Sequence, residues 1–126
     1  MESINIYAIK SEINENEDID FDSDKVAELY YLQNKNVYII LSLFDIWFKD
    51  LNIDGGKFIE IKSFYKAKTN FSENHALIKE LKEEYLETED EIKYRFVEIQ
   101  DFFDYIDKYL EENPIKKLYI ETDLFT

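Results

Sequence analysis

The chain contains no cysteine, one proline (Pro114), one arginine (Arg95), one histidine (His75) and two glycines, adjacent at Gly55 and Gly56. Each scarcity removes a class of chemistry. Without cysteine there is no disulfide framework, zinc-thiolate centre or thiol nucleophile. Two adjacent glycines write neither GxGxxG nor a P-loop, which sets aside nucleotide binding by a glycine-rich loop. Any Ser-His-Asp triad, histidine acid or histidine-rich metal site would have to pass through His75, which stands near Glu73 and no serine motif. A surface or edge-of-core histidine is the expectation there. The longest apolar run, 37–44, is broken by Ser42 and ends at Asp45, far short of the roughly 20 residues a membrane span needs. Residues 1–5 carry no basic stretch leading into an apolar core, so no signal peptide is expected and a cytoplasmic location is the default.

Positive charge is the other shortage. Twenty-nine acids face fifteen bases, for a formal net charge of −14. Nucleic-acid binding depends on Lys and Arg displacing counterions, with Arg supplying most bidentate contacts. Direct binding to DNA, RNA or an anionic membrane is therefore not expected, whereas attraction to a basic protein is.

What the chain does have is apolar and aromatic material: 45% hydrophobic and 17% aromatic residues in 126, with ten Tyr and ten Phe. A disordered acidic tail lacks such content, and a chain of this length buries enough surface to fold without staples. One domain, 1–126, is expected, with 11–24 as an acidic connector holding Glu12, Glu15, Glu17, Asp18, Asp20, Asp22 and Asp24. Ile13, Ile19 and Phe21 are the residues that would tack it to the body.

Along the chain, 3–9 alternates Ile4, Ile6 and Ala8 against Tyr7 and Ile9, and reads as a strand. Residues 26–33, a turn at Asn34-Lys35-Asn36 and 37–44 read as strand, turn, strand, then a short helical turn over 45–51. A helix competes, since Val37, Ile40, Leu41, Phe44, Phe48 and Leu51 fall at helical spacing. Residues 52–56 read as a turn and 57–65 as a strand. A helix is expected from Ser72, capped by Asn70 with Glu73, its buried stripe being Leu77, Ile78, Leu81 and Tyr85. Residues 91–99 alternate like a strand, yet Ile92, Phe96, Ile99, Phe103, Ile106 and Leu110 keep helical spacing, and Thr88 with Glu91 could cap such a helix. A helix over 101–112, with Asp101 as N-cap and Pro114 at its end, leads to a strand over 115–121 with Leu118 and Ile120 inward. Strand, helix and strand there suggest a right-handed parallel crossover. The expected fold is α+β: a mixed, largely antiparallel sheet of five to six strands with two main helices packed on it.

Asp18, Asp20, Asp22 and Asp24 mimic the start of a calcium loop. An EF-hand begun at Asp18 requires Gly and Glu at its sixth and twelfth positions, where this chain has Ser23 and Leu29. Begun at Asp20, it meets Lys25 and Tyr31. A solvated connector is the expectation, with no metal or cofactor. On the expected strands, Glu60-Ile61-Lys62 preceded by Asp45 resembles the acid plus Glu-x-Lys arrangement of the restriction-endonuclease-like nuclease family, over 45–62. That resemblance implies a metal-dependent nuclease with Asp45 and Glu60 as ligands, Lys62 assisting the attacking water and Glu28 as an upstream acid. The same pattern recurs at Glu91-Ile92-Lys93, and the chain lacks the basic surface that holds a DNA substrate.

The acidity itself is the remaining signal. Glu80, Glu83, Glu84 and Glu87, and likewise Asp101, Asp104, Asp107 and Glu111, recur every three or four residues on expected helices, with only Lys82 and Lys108 nearby. Neighbours so spaced lie roughly 5–6 Å apart and repel by a few tenths of a kcal/mol per pair. A chain that keeps such a face is expected to use it on a basic partner. The sequence therefore points to a non-enzymatic acidic inhibitor that occludes a basic, nucleic-acid-binding or active-site surface of a protein. A toxin immunity protein and a phage anti-defence (anti-CRISPR-like) protein share that mechanism. The alternatives are the Asp45/Glu60/Lys62 nuclease and an accessory subunit whose acidity only maintains solubility.

Overall fold

A computed structural model describes residues 2–12, 19–46, 55–73 and 75–123, the side chains of 75–78 excepted. In chain order the elements are β1 (Ser3–Ile9), β2 (Val26–Leu32), α1 (Asn36–Leu43), β3 (Gly56–Ile59), α2 (Ile61–Glu73), α3 (His75–Glu83), α4 (Glu89–Glu112) and β4 (Lys117–Asp123). The α+β class holds. Among the described residues the sheet has four strands rather than five to six, and four helices accompany it rather than two. The strand order is β2-β1-β4-β3 with every neighbouring pair antiparallel, so the first and last strands form the centre. The expected parallel crossover into the last strand is therefore absent.

Alternation decides β1. Ile4, Ile6 and Ala8 pack against the helices with Leu118 and Ile120 of β4, while Tyr7 and Ile9 cover the opposite face. In β2 the alternation breaks because the register with β1 slips between Ile6 and Tyr7: Ile6 faces Tyr30, but Tyr7 faces Glu28. Leu29 is the extra residue of this bulge. It lets Leu29 and Tyr30 both join the helix-side core, and the inward set changes from Ala27 and Leu29 to Tyr30 and Leu32.

Three spans expected as strands are helices. Residues 37–43 lie in α1, because Val37, Ile40 and Leu41 at helical spacing bury one stripe. The Asn34 carboxamide accepts the Asn36 amide at 2.8 Å at its start. Its end is a Schellman turn: Ile46 N–H donates to the Leu41 carbonyl, Asp45 N–H to that of Ser42, and Asp45 is left-handed at φ 57°. Of the helical turn expected at 45–51, only Asp45 and Ile46 lie within the described residues. The strand expected over 57–65 ends at Ile59, since Phe64, Ala67 and Phe71 make the buried stripe of α2, whose first amides, Ser63 and Phe64, donate to the Glu60 carbonyl. Asn70 and Ser72 thus sit inside the end of α2 and start no helix: Asn70 Nδ2 donates to the Leu43 carbonyl at the end of α1 at 3.4 Å, and Ser72 Oγ donates back to the Thr69 carbonyl.

Residues 91–99 and 101–112 are one helix. α4 runs 24 residues, about 36 Å at 1.5 Å per residue. It opens on the Thr88–Glu91 capping box, Glu91 N–H to Thr88 Oγ1 at 3.2 Å and Thr88 N–H to Glu91 Oε1 at 3.3 Å. Asp101 is consequently a mid-helix residue, not an N-cap. Glu89, Asp90 and Glu91 in the first turn suit the positive end of the helix dipole. At the far end the Asn113 side chain donates to the Tyr109 carbonyl at 3.0 Å, just before Pro114.

The core between sheet and helices is phenylalanine-rich: Phe44, Phe64, Phe71, Phe102 and Phe103 pack ring on ring. The opposite sheet face carries a smaller cluster of Tyr7, Ile9, Val26 and Tyr119, joined by Ile19 and Phe58. Phe21 of the connector packs on Tyr7 with centroids 4.6 Å apart, so Ile19 and Phe21 do tack it down; Ile13 lies outside the described residues. Burial first, then Glu121 and Glu28, pushes the Tyr7 phenol up to about 12.

On this face the Tyr119 ring lies across Gly56 of the edge strand β3, where a Cβ would overlap the phenol. Such an aromatic shields an edge glycine. Because Phe58 fixes that ring at a centroid distance of 4.9 Å, Gly56→Ala is expected to destabilise by about 2 kcal/mol, the usual scale of overpacking. Urea denaturation reads it, and an unchanged midpoint would contradict the packing. Among the described residues no helix is long and apolar enough to cross a membrane.

Candidate functional site

The outer side of α4 carries three of the eight residues that the acidic spacing singled out. Asp101, Asp104 and Glu111 are exposed, and no described cation stands within ion-pair distance of Asp101 or Glu111. Asp107 departs from expectation. It is half-buried against α2, where Lys68 pairs with it and the Tyr65 hydroxyl donates to it at 3.1 Å. Lys68 also approaches Asp104, at 3.9 Å. Lys93 and Lys108 are exposed on the same helix. Between the carboxylates stand exposed Tyr94 (79%), Val97 and Tyr105 (53%). The spacing 94-97-101-105 sets these apolar groups and Asp101 on one stripe.

Two tyrosines, half-buried Tyr30 and exposed Tyr65, register the nearby carboxylates. The Tyr30 phenol is raised by burial and then by Glu98 and Asp101. The Tyr65 phenol is raised by burial, by its hydrogen bond to Asp107 and by Glu111.

On α3, Glu80, Glu83 and Glu84 are exposed at or beside the helix end. Glu87 does not share their side. The helix stops at Glu83, Leu86 turns left-handed at φ 52°, and Glu87 N–H donates back to the Leu81 carbonyl at 3.0 Å. That reversal swings Glu87 inward and leaves Tyr85, expected in the buried stripe, exposed. Leu81 is buried as expected, and Leu77 and Ile78 lie outside the described side chains. A left-handed leucine costs roughly 1–2 kcal/mol, and the Leu86 side chain is 81% exposed and contributes little packing. Leu86→Gly is therefore expected to stabilise by about 0.5–1 kcal/mol after the entropic cost of glycine. A thermal melt reads it, and a lowered Tm would contradict the assigned turn.

Glu87 turns in to meet the only arginine. Arg95 Nε donates to Glu87 Oε1 at 2.6 Å, with the two side chains 17% and 9% exposed. Arg95 Nη1 donates to Asn36 Oδ1 at 3.3 Å. Asn36 and Asn34 both donate to Glu98 Oε1, at 2.6 and 2.7 Å. This network joins the α3–α4 turn, the start of α1 and α4. The acidic spacing misses it because the partners are far apart in sequence. The signal that was available is a lone arginine two turns into a helix capped by Thr88.

Beside the network lies a cavity of about 580 Å³ between α1, α3 and α4. Tyr38, Ile39, Leu43, Leu81 and Tyr85 supply its apolar lining. Glu80, Glu87, Glu91, Lys35 and Arg95 also line it, an excess of one negative charge. Glu87 Oε2 is shut off from solvent and has no hydrogen-bond partner among the described residues.

The acidic residues thus form two patches. Lys82 pairs with Glu89 at 3.5 Å, which ties the end of α3 to the start of α4. Ten residues separate Glu91 from Asp101, about 15 Å along the helix.

The nuclease-like residues are placed otherwise than that resemblance implies. Glu60 is not on a strand but at the junction of β3 and α2, paired at 3.1 Å with exposed Lys62 in the first turn of α2. Asp45 is exposed and serves as the left-handed residue ending α1. Glu28 lies on β2, at the opposite edge of the sheet from β3. Among the described residues no group of three acids or histidines could hold a metal ion. Asp20, Asp22 and Asp24 are exposed in a turn, the Asp22 amide donating to Asp20 Oδ1 at 3.0 Å, while Asp18 and the His75 side chain lie outside the description. Compared with known families, curated proteins and solved structures, the chain finds no match.

Proposed function

We propose that this chain is a non-enzymatic acidic binding protein that occludes a basic surface of a protein partner. The observation that carries the reading is the outer stripe of α4, where Asp101 stands without a described counter-cation among exposed Tyr94, Val97 and Tyr105, with exposed Glu111 likewise without one further along the helix. Carboxylates steer a basic surface in and fix its register. Exposed tyrosines supply contact area at low entropic cost, as at the energetic centres of many interfaces. A surface used only for solubility needs the charge but not the aromatics.

A basic cleft that grips nucleic acid is the complementary shape and charge. A nuclease toxin held by its immunity protein, and a host defence effector blocked by a phage protein, both present such a cleft. Tethered to a matrix, the protein is expected to retain a basic protein from the relevant lysate and release it as salt rises. The retained protein should lose its nucleic-acid binding in stoichiometric complex. Retention of a partner that still binds nucleic acid normally would count against occlusion.

A further inference from the structure

We infer that the outer edge of β2 receives an added strand, an extended basic segment of the protein partner. This deepens the reading above and rests on it for the source of that segment. A sheet edge presents unpaired amides and carbonyls, and proteins blunt such edges with short strands, lysine, proline or a covering group. The two edges of this sheet differ in that respect. β3 is four residues long, carries Lys57 and has the Tyr119 ring across Gly56. β2 is seven residues long, with no proline or lysine and Glu28 as its one charge. Among the described residues, β1 is the only strand that pairs with it. Lys10 N–H donates to the Lys25 carbonyl at 2.8 Å, in register with the Ile9–Val26 and Ala8–Ala27 pairs. Alternation along the ladder then turns the amides of Ala27 and, past the bulge, Tyr30 toward β1, and those of Glu28 and Tyr31 outward. The bulge at Leu29 interrupts the spacing of those outward amides, so an added strand meets them with a matching irregularity.

Charge selects the occupant. On the sheet face away from the helices, the edge carries exposed Glu28 and Tyr31, in register with Tyr7 and Asn5. On the helix side the Tyr30 ring meets the Tyr105 ring of α4 at 5.8 Å, and burial, then Glu98 and Asp101, raise the Tyr30 phenol. A strand laid here has carboxylates beside both of its faces. Asp20, Asp22 and Asp24 stand exposed just ahead of β2 against Lys25, and Lys35 follows its far end. A second copy of the chain would bring another −14 and a second Glu28 to the same edge, which like charge opposes. A basic segment meets opposite charge on either face, with backbone pairing for affinity and alternate side chains for specificity. The edge adjoins the stripe of α4 through Tyr105 and Asp101, so one partner can engage both.

The test follows amide hydrogen exchange in the intact, isotope-labelled protein by two-dimensional NMR. The probe is an acetylated, amidated peptide of alternating Arg and Val, eight residues long. An Arg-Pro peptide, which keeps the charge but cannot pair as a strand, and a Glu-Val peptide are the comparison arms. In the free protein the Glu28 and Tyr31 amides are expected to exchange on the order of 100-fold faster than those of Ala27 and Tyr30. The Arg-Val peptide should bind with a dissociation constant on the order of 1 mM. At about ten times that concentration it should slow the two outward amides about 10-fold, and the other peptides should not. Glu28→Lys, at an exposed position, should weaken binding about 5-fold. Tyr31→Pro should abolish it, because the proline removes an outward N–H and no bond to β1; if that variant fails to fold, Glu28→Lys and the Arg-Pro arm still decide. Slow exchange of Glu28 and Tyr31 in the free protein would overturn the assignment. So would protection that grows with protein concentration, equal binding of the Arg-Pro peptide, or no saturable slowing. If the Arg-Val peptide slows neither amide while a basic protein is still retained salt-sensitively, the edge alone is refuted. If it slows both but no basic protein is retained, the edge stands and the proposed function fails.

Discussion

Phe103→Ala is expected to remove about 4 kcal/mol of stability, the scale for deleting a buried phenylalanine. Phe103 is fully buried on α4. Its ring meets Phe64 at 5.6 Å and Phe71 at 5.8 Å on α2, Phe44 at 6.1 Å after α1, and Phe102 at 5.1 Å. One side chain therefore binds three helical segments, and its loss leaves a cavity that none of them can fill without moving. Domains of this size are stable by only about 5–15 kcal/mol, so the change should lower the urea midpoint by a large fraction. Tyr94→Ala on the outer side of the same helix should shift stability by less than about 0.5 kcal/mol. A loss below about 1 kcal/mol at Phe103 would contradict the packing described.

Arg95→Met should be nearly as damaging, at about 3 kcal/mol, the lower end of the range for breaking a buried ion pair. The substitution strands Glu87, whose Oε1 loses the donor at 2.6 Å while Oε2 already lacks one. It also removes a donor to Asn36, which is buried at the start of α1. The double variant Glu87→Leu/Arg95→Met should recover much of the loss, because an apolar pair leaves no stranded charge. A double-mutant cycle measures the coupling directly. Near-zero coupling would mean that the pair is solvated rather than sheltered.

The central strands were legible because their pattern is unambiguous. Ile4, Ile6 and Ala8 oppose Tyr7 and Ile9, and the last strand repeats the arrangement with Leu118 and Ile120. Elsewhere short windows misled. Ile92, Tyr94 and Phe96 alternate like a strand, yet Ile92 is buried and Tyr94 is the most exposed tyrosine among the large apolar residues. Periods of 2 and 3.6 share positions i and i+4, so only the longer run through Ile99, Phe103 and Ile106 separates them. The Thr88–Glu91 cap was the local signal that agreed with the helix. In α2 the deciding stripe, Phe64, Ala67 and Phe71, lies beyond the window that looked like a strand.

The site was legible in part. Glu80, Glu83, Glu84, Asp101, Asp104 and Glu111 are exposed, as helical spacing implies. Glu87 was misplaced because spacing assumes an unbroken helix, and a left-handed leucine at 86 carries no glycine signal. Asp107 was misplaced because its partners, Lys68 and Tyr65, come from a helix about 40 residues earlier. The same applies to Asp45: its exposed carboxylate resembles a ligand in sequence, whereas its backbone ends α1.

The most direct measurement is the association rate with the captured basic partner as salt rises from 0.1 to 1 M, over which the Debye length falls from about 10 to about 3 Å. It should be made for the native chain and for Asp101→Lys/Asp104→Lys/Glu111→Lys. An acidic docking face predicts a steep fall with salt for the native chain, and at low salt an association about 100-fold slower for the triple variant. Equal rates for both proteins, unchanged across the salt range, would contradict it.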